Sequence, residues 1–305
     1  MSIVTAHEAL RRGLTGIVRL DEPMRRHTTY RIGGPADLFI ICDTVADVSH
    51  TLRVLAEEDI AYTVIGKGSN LLVADAGYRG AVIVLGRDFR RHSREGDDIR
   101  CGSGVILAGV VQDAYSKGLK GLEFAVGVPG TVGGALAMNA GTRDEWIGSM
   151  VEGVTVYTLD DGLLRLKGGE IEWGYRTSDV GKRGIVLEAC LRTEAGDRAE
   201  IRRQMEQSFA RRKATQPTGR PSAGSVFRNP EGDSAGRLIE TLGAKGLRIG
   251  DAVVSDVHAN FIVNAGNATA QDVTRLIEAI RSAVRDAYGI ELETEIKFLG
   301  SFETA

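Results

Sequence analysis

Three short stretches carry residues whose types and spacing could do chemistry. In Gly174-Tyr175-Arg176-Thr177-Ser178-Asp179 an arginine stands between aromatic and hydroxyl side chains, just after Trp173. A guanidinium so placed offers a planar fork to a carboxylate, and a structural salt bridge explains it equally well. In Pro221-Ser222-Ala223-Gly224-Ser225-Val226-Phe227-Arg228-Asn229-Pro230 the small residues let a ligand reach the Ser225 hydroxyl, while Arg228 and Asn229 add donors. A serine in a turn is the competing explanation. No nucleophile elbow is present and no histidine is near in sequence, so a hydrolase triad gains no support. The third stretch, 291–298, alternates as a last strand, with Ile296 and Phe298 on one face and Glu293, Glu295 and Lys297 on the other. Periodicity alone leaves Glu295 a solvent-facing carboxylate. His258, in Val257-His258-Ala259-Asn260-Phe261, could touch a diphosphate or a nicotinamide cofactor, or be a structural histidine. His7, His27, His50 and His92 show no metal-ligand spacing, and no metal is expected.

Two further segments offer backbone rather than side chains. Residues 121–142 read GLEFAVGVPGTVGGALAMNAGT, with six glycines and one charged residue, Glu123. Phe124, Val126, Val128, Leu136 and Met138 exclude a solvated loop, and so much glycine excludes an ordinary core helix or strand. Bare backbone of this kind can lie close against a large ligand. Val128-Pro129-Gly130-Thr131 predicts a tight turn whose free N–H groups face an anion, with Thr131 capping a short helix over 132–138. A glycine-rich turn with only a packing role is the alternative. Residues 63–75 read TVIGKGSNLLVAD, two short strands around Gly66-Lys67-Gly68-Ser69-Asn70, a donor nest suited to a diphosphate. The loop is neither a P-loop nor a GxGxxG fingerprint. Together the two segments predict a dinucleotide held by a non-Rossmann fold.

Arg31-Ile32-Gly33-Gly34-Pro35-Ala36-Asp37, the GKGSNLLV loop and GVPGTVGGALAMNAG, in this order and spacing, closely resemble the UDP-N-acetylenolpyruvoylglucosamine reductases. These belong to the vanillyl-alcohol-oxidase-like (PCMH-type) FAD-binding superfamily, and the resemblance runs from about Leu20 to Gly300. It implies an α+β fold with a PCMH-type FAD-binding domain of two α+β subdomains over 20–198, after an N-terminal extension of 1–19. A C-terminal α+β substrate-binding domain follows over 199–305, from which the last strand can return to the FAD domain. It also implies noncovalent FAD, NADPH as reductant, a UDP-sugar substrate and a place in peptidoglycan precursor synthesis. By resemblance Arg176 is the catalytic arginine, Ser225 the proton donor and Glu295 the last-strand glutamate. Gly66, Lys67, Gly68, Ser69, Asn70, Leu71, Gly127, Pro129, Gly130, Thr131, Gly133, Gly134 and Asn139 are the expected cofactor contacts. Tyr175, Arg228, Asn229 and His258 are those of the substrate. Where the family often has an aspartate this chain has Thr177, and its length is that of the form lacking an extra loop over the substrate. A flavin oxidase or dehydrogenase of the same superfamily, and a non-catalytic nucleotide-binding regulator, are the competing functions.

Bulk properties agree with an enzyme of this kind. At 305 residues the chain has ample core for two domains. Its 43% hydrophobic and 26% charged residues describe an ordinary globular protein. A net charge of −3 argues against a general nucleic-acid or anionic-membrane binder. Cys42, Cys101 and Cys190 are scattered, and residues 1–13 lack a signal peptide's basic start and apolar run, so a cytoplasmic location is expected. No obligate protein partner is evident.

The positioning elements follow from periodicity. A helix is expected over 6–12, a turn at 21–23 and a strand over 36–42. Asp43 is expected to cap a helix carrying Val45, Val48, Leu52 and Leu55. Strands are expected over 61–65, 71–73, 81–85, 99–101, 153–159, 163–166, 184–192 and 260–263. Helices are expected over 105–116, 199–213, 234–242 and 270–288, the last capped by Thr269 and stopped by Gly289. The charge-dense 199–213 helix reads as a solvated face, and 215–221, with two prolines, as a boundary. Mixed short strands with few helices suit α+β rather than a doubly wound sheet.

Overall fold

The computed structural model describes residues 2–142 and 144–302. The chain divides into two units that are interleaved in sequence. The first comprises the chain up to Leu20, Leu38–Lys67 and Gly80–Arg211, and the second Asp21–Asp37, Gly68–Arg79 and the chain from Arg212 onward.

In the first unit the Val45–Glu57 helix turns Val48, Leu52 and Leu55 inward at helical spacing. They share a core with Ala6 and Leu10 of the Ile3–Gly13 helix and with Leu38, Ile40, Ala81 and Ile83. Those last four come from strands Pro35–Cys42 and Tyr78–Leu85, the middle pair of a four-stranded sheet flanked by Ile17–Pro23 and Tyr62–Ile65. Tyr62–Ile65 lies parallel to Tyr78–Leu85, pairing Thr63 with Val82 and Ile65 with Val84. A second core lies under the sheet ordered Gly162–Lys167, Val151–Thr158, Ile185–Leu191, Asp98–Gly102 and His92–Glu95. The neighbouring strands of that sheet are antiparallel. The α+β architecture is as expected.

The second unit is built on the Ala270–Tyr288 helix, whose Val273, Leu276, Ile277, Ile280 and Val284 are buried. Its N-terminus is closed by a Thr269–Asp272 capping box, and the Asp75 carboxylate accepts the N–H groups of Ala270 and Gln271. Gly289 ends it with a φ of 68°. The Arg198–Thr215 helix, which runs from the first unit into the second, buries only Ile201, in keeping with a solvated, charge-dense surface.

Three expectations need correction. Residues 21–23, expected as a turn, are the end of the Ile17–Pro23 strand. The cap of the Val45–Glu57 helix is Thr44, not Asp43, and forms a capping box with Asp47. Asp43 instead accepts the Arg87 N–H at 2.8 Å. The last strand is only Lys297–Leu299, parallel to Leu71–Val73. Before it the chain pairs elsewhere, with Thr294 bridged to Phe227 and the Arg228 N–H bonded to the Glu293 carbonyl. Changing partners mid-course breaks the alternation: Ile296 is buried, whereas Phe298 is 40% exposed.

Asp47 is the most heavily bonded buried carboxylate in the first unit. It accepts the Thr15 N–H and hydroxyl and the N–H groups of Asp43 and Thr44, so it ties the segment after the first helix to the second. Burial pushes its carboxyl up, but these hydrogen bonds more than offset that and hold it below its ordinary value. A lowered folded pKa means the stabilisation is complete above the ordinary carboxylate range and is lost as pH falls through the folded value. Asp47→Ala is expected to cost about 2–3 kcal/mol at neutral pH. It should also flatten the acid-side fall in melting temperature. Thermal melts across pH check this; an acid response like that of the parent chain would contradict it.

Candidate active site

The first unit holds a cavity of about 990 Å³. Gly66 and Lys67 line it from one glycine-rich loop, and Thr131, Gly133 and Gly134 from the other. The two loops are pressed together: a Cβ on Gly66 would lie 2.2 Å from the Thr131 hydroxyl oxygen. Thr131 caps the Val132–Ala137 helix by accepting the Gly134 N–H. The first N–H groups of the helix itself are taken within the fold. The Val132 N–H donates to Val105 and that of Gly133 to Ser103, because the 103–107 segment runs alongside through an Ile106–Thr131 bridge. Attraction for an anion comes instead from side chains. The lining includes Lys67, Arg90, Lys182 and Arg183, and among the described residues no aspartate or glutamate. With Ile65, Val84, Val105, Ile106, Tyr157 and Ile185 it combines cationic and apolar wall. Arg183 is paired with Asp179 at 2.7 Å, and size, apolar lining and the remaining positive charge fit a dinucleotide diphosphate such as FAD.

Gly127, Pro129, Gly130 and Asn139 are not part of that lining. Gly130 accepts the Leu107 N–H through its carbonyl. The buried Asn139 amide donates to the Gly174 carbonyl at 2.9 Å and accepts the Gly148 N–H at 3.0 Å. Gly174 belongs to a hairpin, Trp173–Gly174 against Thr177–Ser178, with Tyr175 and Arg176 as its two-residue turn. Arg176 has a φ of 55° there. A left-handed conformation costs a non-glycine residue roughly 1–2 kcal/mol, the kind of strain that marks functional positions. Its Nη1 donates to the Gly141 carbonyl at 2.8 Å, and its guanidinium lies 5.4 Å from the centre of the Tyr175 ring, which is itself 51% exposed.

The remaining site residues belong to the second unit. Gly68 has a φ of 62° and no room for a Cβ, which would sit 2.4 Å from the His27 carbonyl oxygen. Ser69 follows it, and Leu71 opens the strand that pairs with Lys297. Asn70 donates its amide to the Glu295 carbonyl at 3.2 Å, while the Glu295 N–H donates to the Val226 carbonyl at 2.7 Å. Glu295 is thereby clasped between the loop expected to serve the cofactor and the residue following Ser225. Ser225 is half-buried, on a loop whose Ala223, Val226 and Phe227 enter the core. The Asn229 carbonyl oxygen accepts the Ala235 N–H at the start of the Ala235–Thr241 helix, leaving its Nδ2 as the donor group toward a ligand. The half-buried Arg228 fixes its own backbone on Glu293. His258 accepts the Asn260 N–H at Nδ1, which puts the ring proton on Nε2. Burial, then the charge of Lys245, lower its pKa.

One residue of this half escaped the sequence reading. Asn260, 4% exposed, accepts the Phe227 N–H and donates to the Phe227 carbonyl, while its own carbonyl takes the Val226 N–H. Its side chain thus acts as a neighbouring strand for the Ser225 loop. The available signal was an asparagine inside the otherwise apolar run 259–263.

Among the described residues no three His, Cys, Asp or Glu cluster as a metal site, and no helix is long and apolar enough to cross a membrane. Two family models match, an FAD binding domain over residues 36–167 and the UDP-N-acetylenolpyruvoylglucosamine reductase C-terminal domain over 216–299. The reductase of Desulforamulus reducens is 44% identical over 93% of this chain and 94% of its own length. That of Moorella thermoacetica is 43% identical over 98% and 99%. The crystal structure of the Thermus caldophilus reductase superposes with a TM-score of 0.81 at 37% identity, covering 94% of this chain and 99% of that one. The competing oxidase and regulator functions find no support among these relatives. The chain belongs to the UDP-N-acetylenolpyruvoylglucosamine reductase family.

Proposed function

We propose that Arg176, Ser225 and Glu295 carry the family's reaction in this chain. The reaction is the NADPH-dependent reduction of UDP-N-acetylglucosamine enolpyruvate to UDP-N-acetylmuramate, a step of peptidoglycan precursor synthesis. FAD, when bound, takes up hydride from NADPH and supplies it to the terminal methylene of the enolpyruvyl group. In this proposal Gly66, Lys67, Thr131, Gly133 and Gly134 hold the dinucleotide noncovalently, since no cysteine or histidine lies in either loop.

Addition of hydride to that methylene places negative charge on the carbon beside the substrate carboxylate. Arg176, fixed at the tip of its hairpin, stabilises this charge through two-pronged hydrogen bonding, and Glu295 assists by hydrogen bonding. Ser225 gives its hydroxyl proton to the same carbon. Serine is a weak acid, but an enolate-like carbanion is a strong base, so the transfer is favourable. Tyr175, Arg228, Asn229 and His258 bind the rest of the UDP-sugar. The observation that carries this assignment is the double clasp on Glu295, which brings Asn70, Glu295 and the Ser225 loop into one hydrogen-bonded cluster. The proposal places the enzyme in the cytoplasm, where its three free cysteines stay reduced.

Two outcomes test it. NADPH oxidation should depend on UDP-N-acetylglucosamine enolpyruvate, and Ser225→Ala should leave flavin reduction by NADPH intact while slowing the substrate-dependent half-reaction about 10²–10⁴-fold. Stopped-flow absorbance separates the two, and equal rates in parent and variant would reduce Ser225 to a turn residue. Gly66→Ala, by forcing the loops apart, should weaken flavin binding about 5- to 150-fold, from a strain of roughly 1–3 kcal/mol, and so lower bound flavin per chain. Full flavin content in that variant, read from its visible spectrum, would remove the loops from the cofactor site.

A further inference from the structure

The hairpin that carries Arg176 is fastened along its length to residues 136–141, besides the bond from the Trp173 indole N–H to the Gly168 carbonyl. Ser178 donates its hydroxyl to the Leu136 carbonyl at 2.8 Å, Asn139 donates to the Gly174 carbonyl, and Arg176 donates to the Gly141 carbonyl. Both strands and the turn are therefore tied to 136–141, which continues directly from the Thr131-capped helix of the proposed flavin loop. Asn139 is the central tie. It sits two residues past that helix with a φ of 42°. Glycine is the residue of least cost in this conformation, and asparagine is the common second choice. What asparagine adds is an amide, and both ends of it are used: Oδ1 on the Gly148 N–H and Nδ2 on the Gly174 carbonyl. At 7% exposure it has little surface to offer a ligand.

We propose that Asn139 is a positioning residue for Arg176: it fixes the turn of the hairpin, and so the direction of the guanidinium, rather than contacting the cofactor. The inference rests on the assignment of Arg176 to the reaction. Asparagine here converts the end of the flavin-loop helix into a bracket for the arginine, so that the segment bordering the cofactor also sets the group facing the substrate carboxylate. Without the amide, the Gly174 carbonyl and the Gly148 N–H lose this partner and the hairpin keeps its Ser178 and Arg176 bonds to the segment. Displacements of about 1 Å at a reacting group cost about 10²-fold in rate.

Asn139→Gly tests this, because glycine accepts the left-handed backbone and deletes only the amide. Single-turnover oxidation of the reduced enzyme by UDP-N-acetylglucosamine enolpyruvate, and its reduction by NADPH, are measured for Asn139→Gly, Arg176→Ala and the double variant. Thermal melts and flavin content establish that each is folded and loaded. Asn139→Gly should lower the ratio of oxidation to reduction rate about 10- to 100-fold. In the Arg176→Ala background the same change should cost less than about twofold, since two residues acting as one unit are not additive. Full additivity, or no fall in the ratio, would overturn the positioning role. If Arg176→Ala alone left oxidation by substrate untouched, the assignment of Arg176 would fail first and the positioning role with it. Ser178→Ala, which removes the tie to Leu136, provides the same cycle should Asn139→Gly not fold.

Discussion

The fold of the first unit turns on one close approach, that of Gly66 to Thr131. Two loops poor in side chains meet with no space for a Cβ between them. The hydroxyl at the contact is at the same time the cap of the helix that follows. Any side chain at position 66 would have to displace that cap, so the loop geometry and the helix start are one structural decision. The neighbouring 103–107 segment completes it by taking the N–H groups of Val132 and Gly133. At the helix start this wall is backbone whose Val132, Gly133 and Gly134 N–H groups are already bonded, and Lys67, Arg90, Lys182 and Arg183 belong to the same lining. A wall of this kind is rigid before ligand arrives, which lowers the ordering cost of binding a large dinucleotide.

The same economy of backbone bonding recurs at each side chain proposed to take part in the reaction. Glu295 is held by its own N–H and carbonyl, which leaves its carboxylate outside the clasp. The Ser225 loop is held by Asn260 acting on both sides of Phe227. Arg176 is held at a strained φ by bonds to the hairpin on either side of it. In each case an asparagine amide closes the bracket: Asn70, Asn260 or Asn139. A primary amide is the side chain that most nearly copies the donor and acceptor of a peptide group, so it can stand in for a strand where no strand is available.

This pattern also explains what the amino-acid sequence made legible. The glycine-rich stretches announced a backbone-lined site because their composition permits little else, and helices such as Ala270–Tyr288 were readable from apolar spacing and caps. Asn139 and Asn70 were visible as site residues but with a cofactor role, since a sequence shows the donor and not the carbonyl it meets 35 or 225 residues away. Asn260 went unnoticed for the same reason. The last strand misled because alternation assumes one continuous partner, whereas residues 293–297 pass from Phe227 and Arg228 to Asn70.

The central claim is that satisfied, side-chain-poor backbone forms the wall against which the flavin dinucleotide rests. A crystal structure of the chain purified with its FAD tests it most directly. The account predicts the diphosphate against Gly66, Thr131 and Gly134, with Lys67 or Arg90 turned toward its oxygens and the Gly66–Thr131 contact unchanged. A dinucleotide bound outside that cavity, or one that enters only by prying the two loops apart, would contradict it.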